Sequence, residues 1–377
     1  MNKRTCLFDK HEELGALISP FGGFDMPIQY SSIIEEHNAV RNHCGVFDVS
    51  HMGEVRVKGK DAQTFVNHIF TNDVTTMQPG GIQYGMMLYD NGGTVDDLLV
   101  YKMADNDYFL VINAANIDKD WQWISEHLEG YDVDAANVSD QYGQIAVQGP
   151  EAEQVVTEVL GIECAELVFY TFKTVGDVII SRTGYTGEDG FEIYGSHDYI
   201  RQCWDKLMQS KRCLPCGLGC RDTLRFEVGL PLYGDELSEN ITPVMAGLSM
   251  FCKLDKQEFI GKEALAQQKA EGVSRKLVGI ELADKAVPRH GYTVLDAEGN
   301  AVGEVTTGYR LISVEKSVCV ALVDATFAKL GTPLKVQIRR KTFDGTVVKK
   351  RFYDKHYKKC RAAPLQIMKS PDTDNNQ

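Results

Sequence analysis

Apolar and polar positions along this chain follow two rhythms, one with a period of three to four residues and one that alternates. "DAQTFVNHIF" (61–70) has the helical spacing, and a β meander follows it: "GIQYGMMLYD", the turn "NGG", "TVDDLLVYKM" and "DYFLVINAAN". The helical segment "IDKDWQWISEHL" closes this unit near residue 128. From about 145 the pattern predicts the strand "QIAVQG", then the helix "PEAEQVVTEVL" and a hairpin around "VIISRT" and "FEIY". The helices "SHDYIRQCWDKLMQS" and "GCRDTLRFEVGL" follow. Beyond residue 275 short β segments alternate with turns ("LVGIELAD", "GYTVLDAEGNAVGEVTTG", "SVCVALVD", "PLKVQIRR"), as in a small barrel or sandwich. No fixed-period repeat appears.

Two stretches carry carboxylates where the pattern puts strands. In "GYTGEDGFEIYG" (184–195), alternation sends Phe191 and Ile193 to one face and Glu192 and Tyr194 to the other. A solvated hairpin with Glu188 and Asp189 at its tip is one reading; a pocket in which Glu192 accepts paired N–H donors from a ligand is the other. In "TVDDLLVY", Asp97, Leu99 and Tyr101 share one face while Asp96, Leu98 and Val100 share the opposite one. Whichever face is buried takes a carboxylate with it, and a buried Asp is costly unless paired. Side chains on opposite faces do not share a proton, so one of the two acts in any one site.

A chain of 377 residues exceeds one average core, so two or three domains are expected. With 40 Lys+Arg against 53 Asp+Glu, the net charge of −13 argues against a general nucleic-acid binder. Arg339 to Arg361 holds ten basic residues against Asp344 and Asp354, about +8, a basic edge suited to an anionic small molecule or an acidic partner. The N-terminal "MNKRTCLFDKHEELGALISP" lacks the apolar core of a signal peptide, and no long uncharged apolar span occurs, so a cytoplasmic protein is expected.

Of the 10 cysteines, Cys213, Cys216 and Cys220 cluster in "CLPCGLGC". No fourth Cys or His stands beside them, and small buried residues near a helix start explain them without a metal. GxSxG, P-loop and HExxH motifs are absent. His51 in "DVSHMGE" reads as structural. Pattern and motif together stop at a multidomain α+β enzyme with a pocket.

Seven strings in order, "FGGFDMPIQY", "EEHNAVRNHCGVFDVSHMGE", "NGGTVDDLLVY", "VINAANIDKD", "SRTGYTGEDGFEIY", "GLGCRDTLRFEVGLPLYGDEL" and "FIGKEAL", together resemble the glycine cleavage system T-protein (aminomethyltransferase) family from Met1 to about Lys359. The resemblance implies an α+β, three-domain cloverleaf around a central channel that binds tetrahydrofolate, with a small C-terminal β-barrel. The domains expected are 1–51 plus 140–255, 52–139 and 275–359, followed by a disordered tail, 360–377. It further implies transfer of the methylene carbon from the aminomethyl-dihydrolipoyl arm of the H-protein to tetrahydrofolate, with release of ammonia and no metal. Another folate-dependent methyl-transferring or demethylating enzyme of the same fold, or a folate-binding scaffold, is the alternative.

Carried over residue by residue, the resemblance places the catalytic carboxylate at Asp97 and the pterin-binding glutamate at Glu192. Tyr185, Arg221, Met52, Tyr84 and Asn113 fall on the folate wall. The family's C-terminal tyrosine falls within "RFYDKHYKK", as Tyr357 or Tyr353, with Asp354 where a cation is usual.

Overall fold

The structure is a computed structural model that describes residues 2–357, so Lys359 and the 360–377 tail lie outside the described residues. Three β systems form its frame. The first is a sheet in the order Phe172–Val175, Val178–Ser181, Gly190–Gly195, Gly143–Gln148, Gly45–Asp48 and Leu214–Cys216. The second runs Ile82–Leu88, Thr94–Ala104, Asp107–Ile112, Gly53–Lys58 and Asp134–Asn137. The third is a closed barrel of Arg275–Leu282, Ser317–Asp324, Ala301–Arg310, Thr293–Leu295, Pro333–Ile338 and Lys341–Val348. Closure removes the edge strands, which decides between the barrel and sandwich readings.

Helices form where the spacing predicts them, trimmed at their ends. His197–Ser210 starts at Ser196, whose hydroxyl accepts the Tyr199 amide at 3.3 Å. It buries Ile200, Cys203, Trp204 and Leu207, one stripe of a 3.6-residue period, against Phe191 and Ile193 of the first sheet. That burial fixes which face of the strand Gly190–Gly195 is core, so Glu192 and Tyr194 turn the other way. Leu218–Glu227 follows Gly217, whose amide donates to Glu36 at 2.8 Å. A Cβ at Gly217 would stand 2.2 Å from the Ile28 carbonyl, so only glycine lets this helix start lie so close to the strand Phe24–Gln29.

The first two sheets meet at a seam. Tyr170 donates its amide to the Arg182 carbonyl at 3.0 Å and accepts the Ile82 amide at 3.0 Å, while the Phe172 amide reaches the Gly80 carbonyl at 2.8 Å. At this junction Tyr170 has φ of 65°, a conformation that an L-residue adopts only when its surroundings impose it. Behind the seam, Tyr101 and Tyr194 share a hydroxyl hydrogen bond of 2.9 Å across the two sheets, within an apolar cluster that includes Phe109 and Phe172. The barrel is tied on by Arg225, which binds Glu236 at 2.7 Å; Glu236 in turn accepts Thr306 and Thr307 of the barrel at 2.8 and 2.7 Å.

The hairpin tip departs from the solvated reading. Glu188 and Asp189 are 3 % and 7 % exposed. Each is buried because an arginine neutralises it. Arg41 donates to Glu188 at 2.9 Å, and Arg182 grips Asp189 with two N–H bonds at 3.0 and 2.5 Å. Gly187 is held from the far end of the chain, its carbonyl accepting the His356 amide at 2.9 Å.

Candidate active site

Glu192 leaves the first sheet on the face away from Phe191 and Ile193, buried among polar side chains. Its carboxylate accepts the Thr183 hydroxyl and, at 3.2 Å, the Gln144 amide. Burial pushes its proton affinity up, and these two bonds and the nearby Arg221 charge pull it back. Arg221 projects from the first turn of Leu218–Glu227 and lays its guanidinium over the Tyr185 ring, 4.8 Å from the centroid. The Tyr185 hydroxyl is fixed by the Pro231 carbonyl. Arg221 Nη1 and Gln144 Oε1 are sealed from solvent without a hydrogen-bond partner among the described residues. An unpaired donor and acceptor flanking one carboxylate match a ligand that offers both kinds of group.

Asp97 comes from the second sheet. Its Oδ2 accepts the Tyr84 hydroxyl at 2.8 Å and its Oδ1 accepts Asn113 Nδ2 at 3.0 Å. Lost hydration, then the neighbouring Asp96, push its pKa up to about 7, with the Tyr84 and Asn113 bonds opposing. A carboxylate poised there exchanges protons at neutral pH.

Alternation places Asp96 and Asp97 as the strand pattern predicts, Asp96 beside the core of Leu98 and Val100 and Asp97 on the face of Leu99 and Tyr101. The expected independence of the two carboxylates does not hold. Asn113 Nδ2 lies 2.8 Å from Asp96 Oδ1 as well as 3.0 Å from Asp97 Oδ1, so one amide spans both faces at the strand's start. Their charges interact accordingly.

Burial raises the pKa of Tyr170 and of Tyr185; the charges of Glu192 and Asp97 add to the rise at Tyr170, and at Tyr185 the Asp97 charge adds while Arg225 and Arg221 oppose. Tyr357 stacks on Phe169 with centroids 4.1 Å apart, next to Tyr170. Tyr353 instead lies under Arg41 at 4.7 Å, in the buried ion-pair region. Of the two C-terminal tyrosines, Tyr357 is therefore the one beside Tyr170. Met52 lines an adjoining cavity of about 310 Å³ together with Lys3, Arg4, Phe24, Trp121 and Tyr142.

Several of these parts were not legible beforehand. Tyr170 takes its place through a left-handed backbone, and Thr183 and Gln144 through strand pairing. Tyr84 and Asn113, expected on the ligand wall, spend their polar ends on Asp97. His51 is buried edge-on to Phe21 at 5.7 Å, and burial lowers its pKa to about 4, which leaves it neutral. Cys213 packs 3.4 Å from Cys44 in one apolar cluster, while Cys216 and Cys220 pack in another. Among the described residues no group of three or more His, Cys, Asp or Glu is arranged to hold a metal ion, and no helix is long and apolar enough to cross a membrane.

Comparison with known proteins gives concordant matches. Residues 7–256 match the family described as the GCVT N-terminal domain, and residues 275–354 match the glycine cleavage T-protein C-terminal barrel domain. The aminomethyltransferase of Alkaliphilus oremlandii is 48% identical over 365 residues, 95% of this chain and 99% of that protein. Those of Lysinibacillus sphaericus and Bacillus licheniformis are 49% and 50% identical, covering 93% and 94% of this chain and 98% and 99% of theirs. The crystal structure of the glycine cleavage system aminomethyltransferase T from Bartonella henselae superposes with a TM-score of 0.91 at 31% identity, covering 95% of this chain and 99% of that one.

Proposed function

This chain belongs to the glycine cleavage T-protein family of aminomethyltransferases, and from that premise we propose that Glu192, Arg221 and Tyr185 hold tetrahydrofolate while Asp97 acts on the transferring carbon. The enzyme is a folate-dependent transferase of glycine cleavage. What supports the site assignment is that the buried Tyr170 feels the charges of both Glu192 and Asp97, carboxylates from two different sheets, while the Arg221 guanidinium, close enough to Glu192 to pull its proton affinity down, lies over the Tyr185 ring.

The chemistry fits the residues. A pterin presents a 2-amino group beside a ring N–H, and a carboxylate accepts such an edge with two parallel bonds. Glu192 is held for that role by Thr183 and Gln144. The unpartnered Arg221 Nη1 supplies a donor to a ring carbonyl or a carboxylate, and the Tyr185 ring offers an aromatic face. Asp97, hydrogen-bonded by Tyr84 and Asn113, offers negative charge where the methylene carbon becomes cationic as ammonia leaves. Its affinity for a proton also suits it to take one from a folate nitrogen as that nitrogen attacks.

The donor on this reading is the aminomethylated lipoyl arm of the H-protein. Met52 belongs to apolar clusters that also contain Phe47, Leu99 and Tyr101, and it lines the cavity beside the N-terminal segment. We assign that cavity to the approach of the arm, with Lys3 and Arg4 at its rim. The test is formation of ammonia and methylenetetrahydrofolate from aminomethylated H-protein. Transfer that fails with the wild-type chain under those conditions would refute the assignment of donor and acceptor.

A further inference from the structure

Four hydroxyls stand in a row behind Glu192. Its Oε2 accepts the Thr183 hydroxyl. Thr183 Oγ1 lies 2.6 Å from Ser181 Oγ, Ser181 Oγ lies 3.2 Å from the Tyr101 hydroxyl, and the Tyr101 hydroxyl lies 2.9 Å from that of Tyr194. Ser181, Thr183 and Tyr194 belong to the first sheet and its hairpin, whereas Tyr101 belongs to the strand Thr94–Ala104 of the second. All five side chains are buried, and the two tyrosines lie in one apolar cluster with Phe109 and Phe172.

The number of protons fixes the direction of the row. Each hydroxyl has one proton to give, and an ionised carboxylate only accepts. Thr183 therefore donates to Glu192, which leaves Ser181 as the donor to Thr183. The other acceptor near the Ser181 hydroxyl, the Glu192 carbonyl, is 3.4 Å away, beyond the usual O–H···O length. Tyr101 then donates to Ser181, and Tyr194 to Tyr101. Four O–H dipoles point toward the negative charge, and each bond polarises the next. Glu192 Oε1 accepts Gln144 at 3.2 Å. Each carboxylate oxygen thus has one protein donor and a lone pair to spare.

We propose that Tyr101 is a positioning residue for Glu192: through Ser181 and Thr183 it supports the carboxylate as an anion and keeps one lone pair of each oxygen free for the paired N–H edge of the ligand. The inference rests on the reading of Glu192 given above. It ties the pterin carboxylate of one sheet to the strand of the other that carries Asp97 on the same face as Tyr101. Among the described residues, the other charged and titratable groups facing Glu192 are Arg221 from the helix Leu218–Glu227 and Tyr170 from the seam; Glu54 of Gly53–Lys58 faces the far end of the row at Tyr194. Burial raises the proton affinity of Glu192, and the Thr183 bond is the largest influence opposing it. Weakening the row raises that affinity further, and a protonated Glu192 has one acceptor fewer for the ligand.

The affinity of the full-length enzyme for tetrahydrofolate, measured by calorimetry from about pH 5 to pH 9, tests this. Affinity falls on the acidic side as Glu192 takes a proton, and the ligand's own titration is common to every variant. Thr183→Val cuts the row at its first link and should move the midpoint of that fall up by about one pH unit, the scale of one hydrogen bond to a charged group. Thr183→Ser keeps the hydroxyl and should restore the wild-type midpoint. Tyr101→Phe keeps the ring, loses the hydroxyl and should move the midpoint up by about 0.3 pH unit, the share that a polarising neighbour adds to such a bond. In a Glu192→Gln background that shift should vanish. An equal loss of affinity at every pH in Tyr101→Phe, or a wild-type midpoint in Tyr101→Phe while Glu192→Ala binds weakly, would overturn the proposal. So would a Thr183→Ser midpoint shifted as far as that of Thr183→Val. Wild-type binding by Glu192→Ala would instead remove the reading of Glu192, and the proposal with it.

Discussion

Asn113 Nδ2 stands between two carboxylates, 2.8 Å from Asp96 Oδ1 and 3.0 Å from Asp97 Oδ1. One amide thus links Asp96, on the Leu98 and Val100 face of the strand Thr94–Ala104, to Asp97 on its Leu99 and Tyr101 face. Any substitution at one position is felt at the other.

Burial of Asp97, and next to it the charge of Asp96, set a pH dependence of stability that the Asn113 bond opposes. In the folded protein Asp97 holds its proton up to about pH 7, against 3.8 unfolded, so the folded state binds it more tightly. The stabilisation this provides is full below the unfolded value and is lost as pH rises through about 7. Asp97→Asn, which stays neutral, should therefore gain in Tm relative to wild type between pH 5 and pH 8. A constant Tm difference across that range in thermal melts would contradict the raised proton affinity.

Glu192→Ala should weaken tetrahydrofolate binding by about 2 kcal/mol, the loss of a partly desolvated charge-assisted pair. Titration calorimetry measures it. Wild-type affinity in a variant that still melts cooperatively would remove Glu192 from the site.

Arg182→Leu should destabilise the fold by about 3 to 5 kcal/mol, because Asp189 would lose the two N–H bonds that neutralise it where water cannot replace them. Denaturant unfolding gives the value. A loss under about 1 kcal/mol would mean that the hairpin tip opens to water at little cost.

What the sequence made legible, and what it hid, divides along the range of the interactions. Alternation in "GFEIYG" settled the direction of Glu192 because the helix His197–Ser210 buries the opposite face. The same rule placed Asp96 and Asp97 on opposite faces, but it could not show Asn113, from beyond the next strand, reaching both. "GEDG" looked like a solvated tip because the arginines that bury it come from a distant helix, for Arg41, and from the preceding strand's end, for Arg182. Tyr170 was missed because its role depends on a positive φ at a seam between sheets, and tyrosine carries no signal for that conformation. Barrel closure was legible only through the family resemblance, because strand number and spacing alone suit a sandwich equally.

The central claim, that Asp97 acts through its charge on the transferring carbon, is tested most directly by single-turnover methylene transfer from aminomethylated H-protein with saturating tetrahydrofolate. Asp97→Asn should fold and bind folate nearly as wild type does yet transfer about a hundredfold more slowly, the scale of a lost catalytic charge or proton acceptor. Asp96→Asn should fall between the two, since it disturbs Asp97 only through Asn113. Transfer by Asp97→Asn at the wild-type rate would contradict the account.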